Sequence, residues 1–140
     1  MKLIEILEEV NKKEAVADRV SFLEENDSKE LQFLLQAAFD NNVKWLIPDG
    51  EPPFTPAKEP ENTLDDVVMD IVKLVKYGPW AKKPRVQVEN FFISMLQSLS
   101  KEEAMVMILV KDQKLQTRYK KLTKNVAKKY LQETTSITIE

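Results

Sequence analysis

At 140 residues, with 43% apolar and 31% charged side chains, the chain has the composition of one globular domain spanning residues 1–140, able to bury roughly 68% of its unfolded surface. It has neither cysteine nor histidine, which excludes thiolate–imidazole zinc sites and Cys–His or Ser–His–Asp nucleophilic devices and leaves oxygen-ligated ions and carboxylate, lysine or tyrosine acid–base chemistry as the remaining options. The net charge of -2 conceals a division: residues 1–70 carry 17 acidic and 7 basic side chains, residues 71–140 carry 6 and 14.

The N-terminal run places Leu3, Ile6, Leu7 and Val10 at helical spacing with Lys2, Glu5, Glu8 and Glu9 outside. That pattern predicts a short amphipathic helix and differs from a signal peptide. Ala15, Val16, Val20 and Leu23 predict a second helix. Asp27 with Glu30 has the spacing of a capping box, Ser28 being the other candidate cap, and Leu31, Leu34, Leu35, Ala38 and Phe39 give a third helix. Between Asp40 and Asn62 the periodicity breaks. Pro48, Pro52, Pro53, Pro56 and Pro60 predict an extended loop of about twenty residues, anchored by Trp45, Leu46, Ile47 and Phe54.

Thr63 and Asp66 mark the start of a fourth helix, with Leu64, Val67, Val68, Ile71, Val72 and Val75 inside and Gly78-Pro79 as its stop. The turn Lys82-Lys83-Pro84-Arg85 leads to a fifth helix carrying Val88, Phe91, Phe92, Met95, Leu96 and Leu99. Ser100 and Glu103 cap a sixth, whose AMVMILV run is apolar nearly all round, as in the buried centre of a bundle. A basic connection precedes a last helix from about Thr123 to Gln132. The tail from Thr134 is expected as coil or as an edge pairing with the proline loop. No run approaches the ~20 apolar residues of a membrane span.

The positive charge peaks where Lys111, Lys114, Arg118, Lys120, Lys121, Lys124, Lys128 and Lys129 face one acid, Asp112. A solvated lysine-rich helix face is the bland reading, but such faces normally carry interleaved Glu–Lys pairs, which are absent here. Gln113, Gln116, Thr117, Tyr119, Thr123 and Asn125 between the cations suit phosphate and sugar contacts, and the helix start at Thr123 supplies free amides for an anion. Lys82, Lys83 and Arg85 extend the same character. By contrast, Asp65, Asp66 and Asp70 are read as first-turn acids that offset the helix dipole, not as ligands of a divalent ion. Trp80 is read as an aromatic packed over a helix end before a base-stacking one, and Met95, Met105 and Met107 as core filler.

Leu3, Ile6, Leu7, Leu23, Asn26, Leu31, Leu34, Ala38, Phe39 and Asp40 match the opening pattern of the N-terminal DNA-binding domain of phage ATP-dependent DNA ligases, which this segment resembles. The piece EEAMVMILVKDQKLQTRYKKLTKNVAKKYL looks like that domain's closing helices, with Lys111, Asp112, Lys114 and Leu115 in a DNA-facing turn. The LIPDGEPPF loop and VKDQKLQTRYKKLT segment resemble, more closely, a family of small uncharacterised proteins of marine tailed phages. The ligase's Lys-x-Asp-Gly nucleotidyl-transfer motif is absent, since the only Asp-Gly, Asp49-Gly50, follows Ile47-Pro48.

The resulting expectation is an all-α, single irregular domain of six or seven helices with a long proline-rich loop, similar to a ligase N-terminal domain. It is a non-catalytic module with no cofactor or metal that binds double-stranded DNA through the backbone. The contact residues are expected to be Lys111, Lys114, Arg118, Lys120, Lys121, Thr123, Lys124 and Lys128. Its location would be cytoplasmic, in the host cell if the chain is phage-encoded. The alternative from a different class is a phage accessory interaction module, docking on a phage or host replication protein through the acidic half or through the proline loop with Trp45 and Phe54. A carboxylate hydrolase would need two acids converging in a pocket, which nothing in the sequence indicates.

Overall fold

The computed structural model describes residues 1–139 and is all-helical. Seven α-helices occur among them: α1 (Leu3–Val10), α2 (Val16–Glu25), α3 (Lys29–Phe39), α4 (Leu64–Val67), α5 (Arg85–Ser98), α6 (Lys101–Asp112) and α7 (Lys124–Thr134). Two 3₁₀ helices, Val68–Leu74 and Leu115–Thr117, join them. Among the described residues no helix is long and apolar enough to cross a membrane.

Helix α3 lies at the centre, against α6, α7 and the first 3₁₀ helix; α2 packs on α7, α1 on α2 and α4, and α5 on α6. This arrangement follows from apolar coverage. In α6, Ala104, Val106, Met107, Ile108 and Val110 are all buried, so the nearly all-apolar helix sits inside the bundle, as its composition predicts. The amphipathic α1 buries only its stripe of Leu3, Ile6, Leu7 and Val10.

Caps explain several of the boundaries, and some come from distant residues. Ser28 caps α3 by accepting the Leu31 N–H at 3.0 Å, while Asp27 instead accepts from Gln32 Nε2 at 2.8 Å and from the Tyr130 hydroxyl. At α4, Asp66 accepts the Thr63 N–H at 2.8 Å, as the spacing predicts. The Ser100–Glu103 box is half-formed: Ser100 Oγ accepts the Glu103 N–H at 3.2 Å. The buried Glu103 carboxylate turns away and accepts the Leu64 N–H at 2.9 Å, at the start of α4. Asp65 does the same for α1, accepting the Leu3 N–H at 3.2 Å. With Asp65 and Asp66 on helix starts and Asp70 paired to Lys73 at 3.3 Å, the three carboxylates do not converge.

The fourth helix departs from expectation. Only four residues are α-helical, and from Val68 the chain tightens into a 3₁₀ helix that buries Val68, Ile71 and Leu74. Three-residue spacing is the period of that helix, so Leu74 goes inside while Val72, inside on an α-helical wheel, is exposed. A run of β-branched residues crowds the preceding turn and weakens the α form. At Val75 the backbone leaves the helix altogether for an antiparallel bridge with Trp45.

The non-helical residues 40–63 are tied down at both ends. Leu46 N–H donates to Leu74 C=O at 2.7 Å and Lys76 N–H to Lys44 C=O at 2.8 Å, which together form the bridge. Further on, Ala57 N–H donates to Leu99 C=O and the amides of Glu61 and Asn62 to Ser98 C=O. Trp45 and Phe54 pack against the core rather than forming an exposed apolar patch, Trp45 meeting the edge of Phe92 at 6.5 Å. In the tail, residues 135–139 are coil, with Ile139 buried.

Candidate nucleic-acid interface

The basic segment runs from the last turn of α6, through the second 3₁₀ helix, onto α7. Helix α6 ends at Gln113, held in the left-handed region at φ 56°. Its side-chain amide caps α3 across the core, Nε2 donating to Asp40 C=O at 2.7 Å and Ala37 C=O at 3.3 Å. Leu115, Tyr119 and Leu122 then plug the connection into the core, and Lys114, Gln116, Arg118 and Lys120 between them face outward. Tyr119 is therefore a core residue and not the sugar-contacting side chain expected of it. Burial pushes its phenol up, and its hydroxyl accepts from Arg118 Nε at 3.3 Å.

The seven predicted cationic contacts divide into three groups, with Thr123 apart from them. Lys111 is withdrawn from the interface, a correction to the sequence expectation. Its side chain is 0% exposed, its Nζ donating to Pro48 C=O at 2.8 Å and Gly50 C=O at 3.1 Å and pairing with Asp112. The aliphatic stem and head lie over Phe92, Nζ 5.9 Å from the ring centroid. This is a loop staple. Arg118 and Lys121 reach the surface but are compensated, Arg118 by Glu102 at 2.9 Å and Lys121 by Glu14 at 2.7 Å.

The remaining lysines, Lys114, Lys120, Lys124 and Lys128, form no ion pair among the described residues. Lys124 and Lys128 are one turn apart on α7 and share a face; both are half-buried at the border of the Val126, Ala127, Tyr130 and Leu131 side. Exposed Lys129 and Asn125 flank them. Thr123 is the N-cap, its hydroxyl accepting the Val126 N–H at 3.2 Å. The amides of Lys124 and Asn125 have no intrahelical acceptor, and they point along the positive end of the helix dipole.

A second cationic region, only partly anticipated, lies in residues 75–85. Lys76, Lys82, Lys83 and Arg85 are exposed there. Trp80 packs on Phe91 edge to face at 4.8 Å, with the ammonium groups of Lys73 and Lys83 at 5.2 and 5.1 Å from its ring centroid. It is a packed aromatic, as the preferred reading had it. Tyr77, which the sequence reading did not single out, is 99% exposed; its only signal was a place in a stretch free of Asp and Glu between Asp70 and Glu89. An open cleft of about 370 Å³ is lined by Lys44, Lys76, Lys111 and Gln113 together with Asp49 and Asp112.

Fold and surface together define an all-helical protein that displays an acid-poor cationic turn and helix. By sequence it belongs to DUF6433, a family of unknown function whose model matches residues 6–117. That span takes in the 75–85 region, Lys114 and Arg118's predecessor turn, and ends before α7. No curated protein and no solved structure matches the chain.

Proposed function

We propose that the chain binds the sugar–phosphate backbone of double-stranded DNA without catalysing a reaction on it. The observation that carries this reading is the set of uncompensated lysines, Lys114 and Lys120 in the connection before α7 and Lys124 and Lys128 in its first turns. Each such lysine releases a condensed counterion when it meets a phosphate, so binding is strong at low salt, weak at high salt and only weakly sequence-selective. Thr123 and the free amides at the helix start add a directional anion contact. The likeness of the hydrophobic spacing to phage ligase DNA-binding domains, and the phage origin that goes with it, belong to the same reading. The basic segment from Lys111 to Lys129 contains no glycine, so side chains rather than close backbone approach make the contacts.

The test is a salt titration of a fluorescent duplex by anisotropy. Lys124→Glu with Lys128→Glu lowers affinity at low salt and flattens the log–log salt slope by about 1 per lysine. Absence of binding by the native chain at low salt, or an unchanged affinity in the double variant, overturns the reading.

One observation favours a second reading, that of an interaction module. Between residues 47–53 and α5 lies a cleft of about 360 Å³ with an apolar floor that includes Phe92 and Ile93 and a rim of Asp49, Glu51 and Glu89. Its chemistry suits a basic segment of a phage or host replication protein, and it becomes the leading reading if the duplex titration fails.

A further inference from the structure

The backbone around Tyr77 is fixed and its side chain is free. On one side the Val75–Trp45 bridge and the Lys76 N–H donating to Lys44 C=O hold the chain. On the other, Gly78 N–H donates to Val75 C=O at 3.2 Å and Ala81 N–H to Gly78 C=O at 3.1 Å. Gly78 sits so close to the 3₁₀ helix that a Cβ there would lie 2.1 Å from Val72 O. Between these clamps Tyr77 adopts φ 68°, a left-handed conformation that glycine or asparagine would take at little cost and a tyrosine does not favour. The ring recovers nothing from the core, being 99% exposed. Singly exposed apolar residues are ordinary, but a rigidly presented aromatic ring on strained backbone is the arrangement found at binding surfaces.

The surroundings specify the ligand. Lys44 and Lys76 face each other across the bridge, Lys82 and Lys83 follow in the same loop, and Arg85 opens α5. No carboxylate occurs between Asp70 and Glu89, and Lys76, Lys82 and Arg85 form no ion pair among the described residues. Half-exposed Val72 provides an apolar edge beside the turn. An isolated aromatic face in an acid-free, cationic stretch is the combination that stacks an unpaired base while holding the phosphates on either side. A lipid surface would call instead for a continuous apolar helix face, which this turn does not offer.

We infer that the 75–85 turn is a binding site for single-stranded nucleic acid, with a base stacked on Tyr77 and the flanking phosphates on Lys44, Lys76 and Lys82. The inference deepens the backbone-binding reading and rests on it for the phosphate contacts. Lys44 and Lys76 line the cleft together with Gln113, next to Lys114. The inference extends the ligand class to DNA with unpaired bases next to a duplex, the strand passing from Lys114 to Lys44 and Lys76 along that cleft.

The experiment compares an oligo-dT strand with an abasic strand of the same length and charge, using the native chain, Tyr77→Ala and Tyr77→Phe, with the duplex titration alongside. The native chain and Tyr77→Phe prefer oligo-dT over the abasic strand by about tenfold, and Tyr77→Ala loses that preference while binding the duplex normally. Thermal unfolding of Tyr77→Ala is expected to match the native chain, because the ring packs on nothing. Equal discrimination by Tyr77→Ala and the native chain, or no preference for bases in the native chain, overturns the inference. So does a Tyr77→Ala defect seen only with phosphatidylserine vesicles, which would make the turn a lipid contact. Failure of the backbone reading shows separately, as duplex binding insensitive to Lys124→Glu with Lys128→Glu.

Discussion

Lys111 illustrates how a charge acquires its role from position rather than sign. Its neighbours in sequence point outward, yet its own ammonium is enclosed by two loop carbonyls, the Asp112 carboxylate and the ring of Phe92. Asp112 completes the staple by accepting the Gly50 N–H at 3.1 Å, so the pair fixes residues 48–50 to the end of α6. A buried ion pair of this kind adds little over an apolar substitute, but losing one partner leaves the other uncompensated. Lys111→Met is therefore expected to lower stability by about 3 kcal/mol, read as a shift in the urea midpoint. Lys111→Arg does not restore the loss, because a planar fork does not fit three acceptors arranged around a point charge. Duplex affinity of Lys111→Met, measured cold enough to keep it folded, stays at the native value. A fall in affinity with unchanged stability would return Lys111 to the interface.

At the scale of elements, the 3₁₀ helix and the turn after it depend on one glycine. The 3₁₀ period aligns Val68, Ile71 and Leu74 on the core, and the chain then folds back so tightly that Gly78 touches Val72 and Val75 carbonyls. Backbone atoms cannot rotate away as a side chain can, so Gly78→Ala is expected to cost about 2 kcal/mol or more and to lower the melting temperature by several degrees. An unchanged melting curve would mean that the turn opens at no cost, and with it the fixed presentation of Tyr77. Elements with a regular α-helical stripe (α1, α3, α5 and α7) were legible in the sequence because 3.6-residue periodicity reports directly which face is buried. The 3₁₀ helix was not, since Val67, Val68, Ile71, Val72 and Val75 share one face of an α-helical wheel, whereas only Val68 and Ile71 of them lie on the 3₁₀ face buried with Leu74. Nor were the caps that Asp65 and Glu103 supply to α1 and α4, which exist only once distant segments have packed. The same holds at the site: the grouping of cations was readable, whereas the burial of Lys111 and Tyr119 and the exposure of Tyr77 are products of tertiary contact.

Across the whole molecule, folding brings the two oppositely charged halves of the sequence together. Helix α2 packs on α7 and Glu14 reaches Lys121, while Arg118 is met by Glu102 from within the basic half itself. Such exposed pairs contribute little to stability; their larger effect is to subtract from the positive potential that a phosphate backbone would meet. Glu14 is held below its ordinary value by its hydrogen bond to Lys121, so it keeps its charge further into acid than a free glutamate does. Glu8 behaves in the opposite sense: a hydrogen bond shared with Glu102, with a smaller contribution from burial, raises its carboxyl even though Arg118 and Lys12 pull it down. A raised carboxyl takes up its proton first as pH falls, removing a negative charge beside Arg118 before ordinary glutamates titrate. Two results follow for duplex binding at low salt. Glu14→Gln with Glu102→Gln frees Arg118 and Lys121, raising affinity and steepening the salt dependence, with the melting temperature nearly unchanged. Native affinity also rises as pH falls toward the carboxylate range, and Glu8→Gln reduces that rise by starting from the neutral form. Anisotropy titrations across salt and pH measure both. An affinity indifferent to Glu14 and Glu102 would place the bound phosphates away from Arg118 and Lys121, and confine the contact to Lys114, Lys120, Lys124 and Lys128.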